Sequence, residues 1–162
     1  MKRLFLTLVL CWAAIAGISA QTLPDVTVET QDGANISVRS LTGEKPLIIC
    51  YWSIACKPCI QELNAINEAI EDWQKEASFK VVAVSVDDAR LKAAAKAKAA
   101  ALGWEFTCVY DPNQALKRAM NVSLTPHSFV VDKEGKIVLS HSGYTPGSEE
   151  ELIDKVIEIS KK

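Results

Sequence analysis

Two cysteines separated by two residues, Cys56 and Cys59, are the side chains in this sequence best suited to chemistry. They follow an apolar run and precede a segment with the apolar spacing of a helix. A thiol at a helix N-terminus faces unpaired backbone N–H groups and a partial positive charge, which favour the thiolate. The thiolate attacks disulfides, and a second cysteine within reach can then release the product. We therefore predict a redox-active disulfide, with Cys56 as nucleophile and Cys59 as resolving thiol.

Three other roles for such a pair leave different marks in a sequence. A zinc site needs further ligands, and neither a second pair of this spacing nor clustered histidines occur. Covalent haem attachment needs a histidine directly after the second cysteine, where Ile60 stands. A structural disulfide that closes so short a loop would stabilise the fold little. Haem attachment is excluded, while the zinc and structural alternatives stay open.

The elements that must position the pair follow from apolar periodicity. In chain order they are a hairpin of residues 26–28 and 36–38, a buried strand at 47–52, a helix at 57–76, a buried strand at 79–86, a helix that starts at 87–88 and ends near 103, a strand at 104–110, a helix at 114–120, a hairpin of 128–132 and 136–141, and a last helix capped by Ser148 with Glu151. Strands that alternate with helices predict an α/β fold with a parallel core sheet covered on both faces.

The first twenty residues of the 162 have the composition of an export signal. Basic residues precede an apolar segment at 4–18, and cleavage is predicted after Ala20. Cys11 has bulky neighbours, which argues against lipidation there. We expect one domain over residues 21–162, periplasmic or otherwise secreted, or tethered by an uncleaved N-terminal segment.

Charge and the remaining cysteines limit other functions. The formal net charge is −2, with acids and bases interspersed, which gives no nucleic-acid footprint. Cys50 and Cys108 lie in apolar strand contexts and are predicted to be inert core thiols. A bridge between them is the alternative. We expect no cofactor and a monomer.

The sequence resembles the thioredoxin superfamily, specifically its TlpA/ResA-like periplasmic branch, over nearly all of the mature chain. The residues that carry the resemblance include Trp52, Cys56-Lys-Pro-Cys59, Glu62, Tyr110-Asp111 and Thr125-Pro126, the last placed before a predicted strand. The resemblance implies a thioredoxin-like fold, with a central mixed sheet flanked by helices and an N-terminal β-hairpin extension.

The same resemblance implies a substrate-binding set formed by Trp52, Thr125 and Pro126. Thr125-Pro126 would be a cis peptide beside the disulfide, with Thr125 offering backbone hydrogen bonds to a bound chain. Cis X-Pro bonds are uncommon, and an ordinary trans turn is the alternative. No role is implied for His127, and His141 has the pattern of an ordinary strand residue.

Cys50 departs from the family pattern, because thioredoxins carry a proton-shuttling acid at that position. ResA-like proteins place an acid after the next strand instead, which matches Asp88, or Asp87. We hypothesise that Asp88 tunes the deprotonation of Cys59. The alternative is that Asp88 is a helix N-cap, a position that aspartate favours.

These features predict reduction of protein disulfides through a Cys56 mixed disulfide that Cys59 resolves. The implied partners are disulfide-bearing protein clients and a membrane thiol electron donor that recharges the pair. A net oxidase or isomerase is the first alternative, since the residues between the cysteines do not fix the direction of electron flow. A non-catalytic binding module on the same fold is the second.

Overall fold

The computed structural model describes residues 21–161. Its elements are β1 (Thr27–Thr30), β2 (Asn35–Ser37), β3 (Leu47–Trp52), α1 (Lys57–Glu76), β4 (Lys80–Ser85), α2 (Lys92–Leu102), β5 (Thr107–Tyr110), α3 (Ala115–Ala119), β6 (His127–Val131), β7 (Ile137–Ser142) and α4 (Glu150–Ser160). The export signal predicted at residues 1–20 lies outside this part of the chain. Within residues 21–161, no helix combines the length and apolar character needed to cross a membrane.

The seven strands form one mixed sheet in the order β2-β1-β5-β4-β3-β6-β7. β3, β4 and β5 are parallel neighbours, because helices connect them in sequence. β6 and β7 continue the sheet antiparallel beyond β3. The hairpin β1-β2 adds antiparallel to the other side, at β5. This arrangement confirms the predicted α/β class with a mixed sheet and an N-terminal hairpin.

The buried strand β3 divides the core into two layers, because alternate side chains of a strand point to opposite faces. Cys50 and Trp52 pack on the face covered by α1 and α4, together with Leu63. Ile49 and Tyr51 pack on the opposite face with residues of α3 and the N-terminal hairpin. All six β3 residues are buried, so the strand that leads into the cysteine motif is held on both sides.

Two predicted helix starts are wrong. α2 begins at Lys92 rather than at the two aspartates, because Asp88 accepts backbone N–H bonds from Arg90 and Leu91 in a turn before the helix. α4 begins at Glu150 without a side-chain cap. The Ser148 hydroxyl instead accepts the N–H of Thr145, three residues earlier, so it stabilises the preceding turn.

The N-terminal hairpin is tied to α2 by a pair of lysines. Lys92 and Lys96 donate to the two carboxylate oxygens of Glu29 on β1, at 2.6 and 2.7 Å. These hydrogen bonds, led by that of Lys92, lower the pKa of Glu29. The lysine-bearing face of α2 therefore holds the N-terminal hairpin against the helix.

Candidate active site

The cysteine pair lies where β3 passes into α1. Cys56 and Cys59 form a disulfide with 5.3 Å between their Cα atoms. Cys56 is the N-cap residue of α1, and no acid in the first turn offsets the positive end of the helix dipole. Cys56 is half-buried and Cys59 is buried, as predicted for a nucleophile and its resolving thiol. In the described part of the chain, no group of three or more His, Cys, Asp or Glu side chains is arranged to hold a metal ion.

A buried carboxyl group follows the pair on the inner face of α1. Glu62 stands three residues after Cys59, so the two side chains share one face of the helix. Only 1% of Glu62 is exposed, and its Oε1 accepts the Ser128 hydroxyl at 2.8 Å. Its Oε2 is buried and has no hydrogen-bond partner within residues 21–161. Burial raises the pKa of Glu62 to about 7, against the opposing effect of the Ser128 hydrogen bond.

A carboxyl group with a pKa near neutrality can exchange a proton with a thiol at physiological pH. Cys59, one turn earlier on the same buried face, is the nearest thiol along α1 that the redox chemistry must deprotonate. Glu62 is therefore the acid that the site offers for this purpose. Glu62 is among the residues that carry the family resemblance, but no role was predicted for it. Its spacing from Cys59 and the apolar residues around it were the features from which its burial could have been predicted.

Cys50 and Cys108 are free thiols. Burial raises the pKa of Cys50 well above its ordinary range, and the Glu62 charge adds to the effect. Burial also raises the pKa of Cys108, to about 11. Both residues pair with Ala83 of β4 from opposite sides, which separates their Cα atoms by two strand spacings, about 9.6 Å. A disulfide cannot span that distance, so the structure excludes a bridge between them.

The two aspartates after β4 have different surroundings. Asp87 is buried, and its carboxylate accepts the N–H of Ile54 at 3.0 Å and the hydroxyl of Ser85 at 2.9 Å. It therefore holds the loop that carries Cys56. Asp88 is half-exposed and binds the Arg90 guanidinium, which lowers the pKa of Asp88. Asp88 stabilises the turn before α2, whose N-cap residue is Leu91, and tuning of Cys59 by Asp88 stays an untested hypothesis.

Trp52 does not occupy the position expected of a substrate-binding side chain. It is fully buried and packs edge-on against Trp104, with 4.9 Å between the ring centroids. The Trp104 indole N–H donates to Asn64 of α1 at 2.8 Å. The expectation that Trp52 contacts a client is therefore corrected: its side chain packs beneath the cysteine loop, where a client cannot touch it.

The Thr125-Pro126 peptide bond is cis, as the resemblance implies. β6 begins directly after it, and Tyr51 of β3 pairs with His127 of β6, so this peptide and the cysteine loop lie at the same edge of the sheet. An open cleft of about 350 Å³ adjoins it, lined by Thr125, Pro126 and Leu124 among others. Leu124 is 81% exposed, an unusual position for a large apolar side chain.

A family comparison agrees with this geometry. The redoxin family model matches residues 18–157. The chain belongs to the redoxin family. Its strand order, its disulfide at the start of α1 and its cis-proline are consistent with the thioredoxin-superfamily membership that the sequence resemblance implies.

Similar proteins are known both as sequences and as solved structures. This redoxin resembles an uncharacterized thioredoxin-like protein from Porphyromonas gingivalis, with 44% identity and a TM-score of 0.76 over 86% of this chain and 92% of that one. It also resembles a candidate thiol:disulfide interchange protein DsbE from Chlorobium tepidum, with 27% identity and a TM-score of 0.73 over 88% of this chain and 97% of that one. The thiol-disulfide oxidoreductase ResA of Bacillus thuringiensis is 30% identical over 71% of this chain, which spans 64% of that relative's length.

Proposed function

We propose that this redoxin is a thiol–disulfide oxidoreductase that reduces disulfides in protein clients. The observation that carries the proposal is the Cys56–Cys59 disulfide at the N-terminus of α1, with the buried Glu62 carboxyl one turn further on. Relatives with the names thiol-disulfide oxidoreductase and thiol:disulfide interchange protein support the same chemistry.

The first step joins the reduced protein to its client. The Cys56 thiolate attacks one sulfur of the client disulfide, and a Cys56–client disulfide forms as the client S–S bond breaks. The other client sulfur leaves as a thiolate and takes a proton from water. The N-terminus of α1 favours the attacking thiolate, because its N–H groups and dipole stabilise negative charge at Cys56.

The second step releases the client. The Cys59 thiol gives its proton to the Glu62 carboxylate, and the resulting thiolate attacks the Cys56 sulfur. The Cys56–Cys59 bond forms and the remaining client sulfur leaves as a thiolate. Two electrons have then passed from the cysteine pair to the client. The burial of Glu62 on the helix face that also carries Cys59 supports this role for its carboxylate.

The client contacts the surface beside the cis-proline. Thr125 offers its backbone there, and the exposed Leu124 supplies an apolar contact. Ala55, also exposed, leaves room beside Cys56 for the incoming chain. We propose that the protein acts as a monomer outside the cytoplasm and that a membrane dithiol donor returns two electrons to the oxidised pair.

Trapping the mixed disulfide tests this function. Cys59→Ser removes the resolving thiol, so a covalent Cys56–client adduct should accumulate in cells and dissociate on reduction. Cys56→Ser is the matched control and should trap nothing. The wild-type protein should also reduce insulin with a dithiol as electron source. Two negative results together would instead indicate a binding module: a folded, reduced wild-type protein that does not reduce insulin, and a Cys59→Ser variant that forms no adducts.

A further inference from the structure

His141 lies beside the buried carboxyl group without belonging to the cysteine motif. On β7 it is the direct partner of Ser128 on β6, the residue that donates to Glu62. Directly paired residues in antiparallel strands project to the same face, with Cβ atoms about 5 Å apart. His141 therefore shares with Ser128 the face of the sheet that α1 and α4 cover.

Glu151 of α4 holds the His141 ring from the solvent side. The distance between His141 Nδ1 and Glu151 Oε2 is 2.7 Å. The His141 side chain is 24% exposed and that of Glu151 is 53% exposed. Glu151 therefore fixes the His141 imidazole on the face of the sheet that carries the Ser128–Glu62 hydrogen bond.

We propose that His141 is a positioning residue for the redox pair: its imidazolium, held by Glu151, stabilises the Glu62 carboxylate and so fixes the pH range in which Glu62 accepts the Cys59 proton. The inference rests on the proposed function for its consequence in catalysis, but the coupling of His141 to Glu62 is a property of the folded protein by itself.

Among the titratable groups that face Glu62, His141 is the basic side chain. These groups are Cys59 on α1, Cys50 on β3, His141 on β7, Tyr144 after β7 and Glu149 before α4. Of these, His141 lowers the pKa of Glu62, whereas Glu149 raises it. Burial keeps Cys50 protonated, so Cys50 adds no charge near neutral pH. His127, which pairs with Ser142 on the other face of the hairpin, has its own pKa lowered by burial and by His141.

The chain supplies a closely matched control. Lys155 and Glu158 of α4 form another ion pair of 2.7 Å, with side-chain exposures of 26% and 50%. This pair joins two residues of the same helix, three positions apart. Lys155→Gln therefore removes a cation of equal exposure and equal pairing, without removing the one that faces Glu62.

The test is a carboxyl-carbon NMR titration of Glu62 in the oxidised, client-free protein, with Glu62→Gln to assign the signal. His141→Gln should raise the titration midpoint of Glu62 by about half a pH unit or more, because the loss of a neighbouring positive charge disfavours the carboxylate. Lys155→Gln should leave the midpoint unchanged. His141→Lys keeps a positive charge and should leave the midpoint no higher than in the wild type. At pH 7, His141→Gln should also slow release of the client from the mixed disulfide by about twofold, as the carboxylate fraction falls.

Two results would overturn the inference. One is a Glu62 midpoint in His141→Gln that equals the wild-type midpoint. The other is an equal shift in the Gln and Lys variants, which would make His141 a packing residue only; thermal melting of all variants confirms that each is folded. The titration needs no turnover, so failure of the wild type to reduce insulin would refute the proposed function and leave this measurement intact.

Discussion

Ser128 on β6 donates its hydroxyl hydrogen to Glu62 on α1 across 2.8 Å, in a part of the core where both residues are buried. Ser128 pairs in the sheet with Cys50, which stands where thioredoxins carry a proton-shuttling acid. The buried acid of this site therefore lies on the helix, where a hydroxyl group from the strand next to β3 binds it.

Glu62 should make the stability of the protein depend on pH. Its pKa in the folded protein is about 7, above the ordinary value of 4.5. Between these values the folded state retains a proton that the unfolded state has lost, so the free energy of unfolding falls as pH rises. The loss should approach about 3 kcal/mol above pH 7, from 1.36 kcal/mol per pKa unit. Urea denaturation of the oxidised protein from pH 4 to 8 measures it.

The matched variant for that series is Glu62→Gln, which removes the titration and keeps the shape of the side chain. Its unfolding free energy should vary less over the same pH range than that of the wild type. An identical pH dependence in the two proteins would mean that Glu62 does not carry the shifted pKa.

Asp87 should matter more than Asp88 for both stability and rate. Asp87→Ala leaves the Ile54 N–H and the Ser85 hydroxyl without their buried acceptor, which should cost about 2–3 kcal/mol. The loop that carries Cys56 loses its anchor, so insulin reduction should slow as well. Asp88→Asn removes an exposed ion pair, which contributes little to stability, and should cost much less.

Denaturation curves and insulin turnover of both aspartate variants check this order. The rate–pH profile of Asp88→Asn is also the direct test of the earlier hypothesis for Asp88. A profile unchanged from the wild type would leave Asp88 with a role in the turn before α2 only.

Leu124 should contribute to client binding and not to thiol chemistry. Leu124→Ser removes the exposed apolar side chain beside the cis-proline, and the KM for insulin should rise by about 3- to 10-fold, the effect of losing part of a buried leucine contact. Equilibration with glutathione should not change. Leu91→Ser, at the other exposed large apolar residue of the described chain, is the control and should leave KM unchanged.

Cys50 should be dispensable for turnover. Its thiol is buried and its pKa is raised well above the ordinary range, so it supplies neither a nucleophile nor a proton near neutrality. Cys50→Ala should retain the insulin reduction rate within about twofold and lose about 1 kcal/mol of stability from the lost buried sulfur. Steady-state kinetics decide this, since a rate loss of tenfold or more in a folded variant would assign Cys50 a part in the reaction.

Much of the fold can be predicted from the sequence, because its main elements have strong, local patterns. These are the apolar runs of β3 and β4 and the apolar residues of α1 at spacings of three and four. The cysteine positions also follow directly, as the motif spans the end of one pattern and the start of the next. The places where prediction failed depend on tertiary contacts. Nothing local distinguishes Asp87 from Asp88. Asp87 becomes a buried anchor only because the cysteine loop lies beside the end of β4, whereas Asp88 stabilises a turn at the surface.

The buried acid was missed for a related reason. Glutamate on a helix is usually exposed, so the identity of Glu62 as a core residue depends on contact between α1, β6 and β7, which are far apart in sequence. The position of Trp52 is similar. An aromatic residue near a reactive cysteine suits a binding surface, but the alternation along β3 directs this side chain into the layer beneath the loop.

The direction of electron flow is tested most directly by the midpoint potential of the Cys56–Cys59 pair. The protein is equilibrated with glutathione buffers at pH 7, and the reduced fraction is read from the mass gained on alkylation. A reductase of protein disulfides should show a potential more negative than about −200 mV, below the range of disulfide isomerases. A potential of about −120 mV, typical of a strong disulfide oxidant, would contradict the assignment as a reductase.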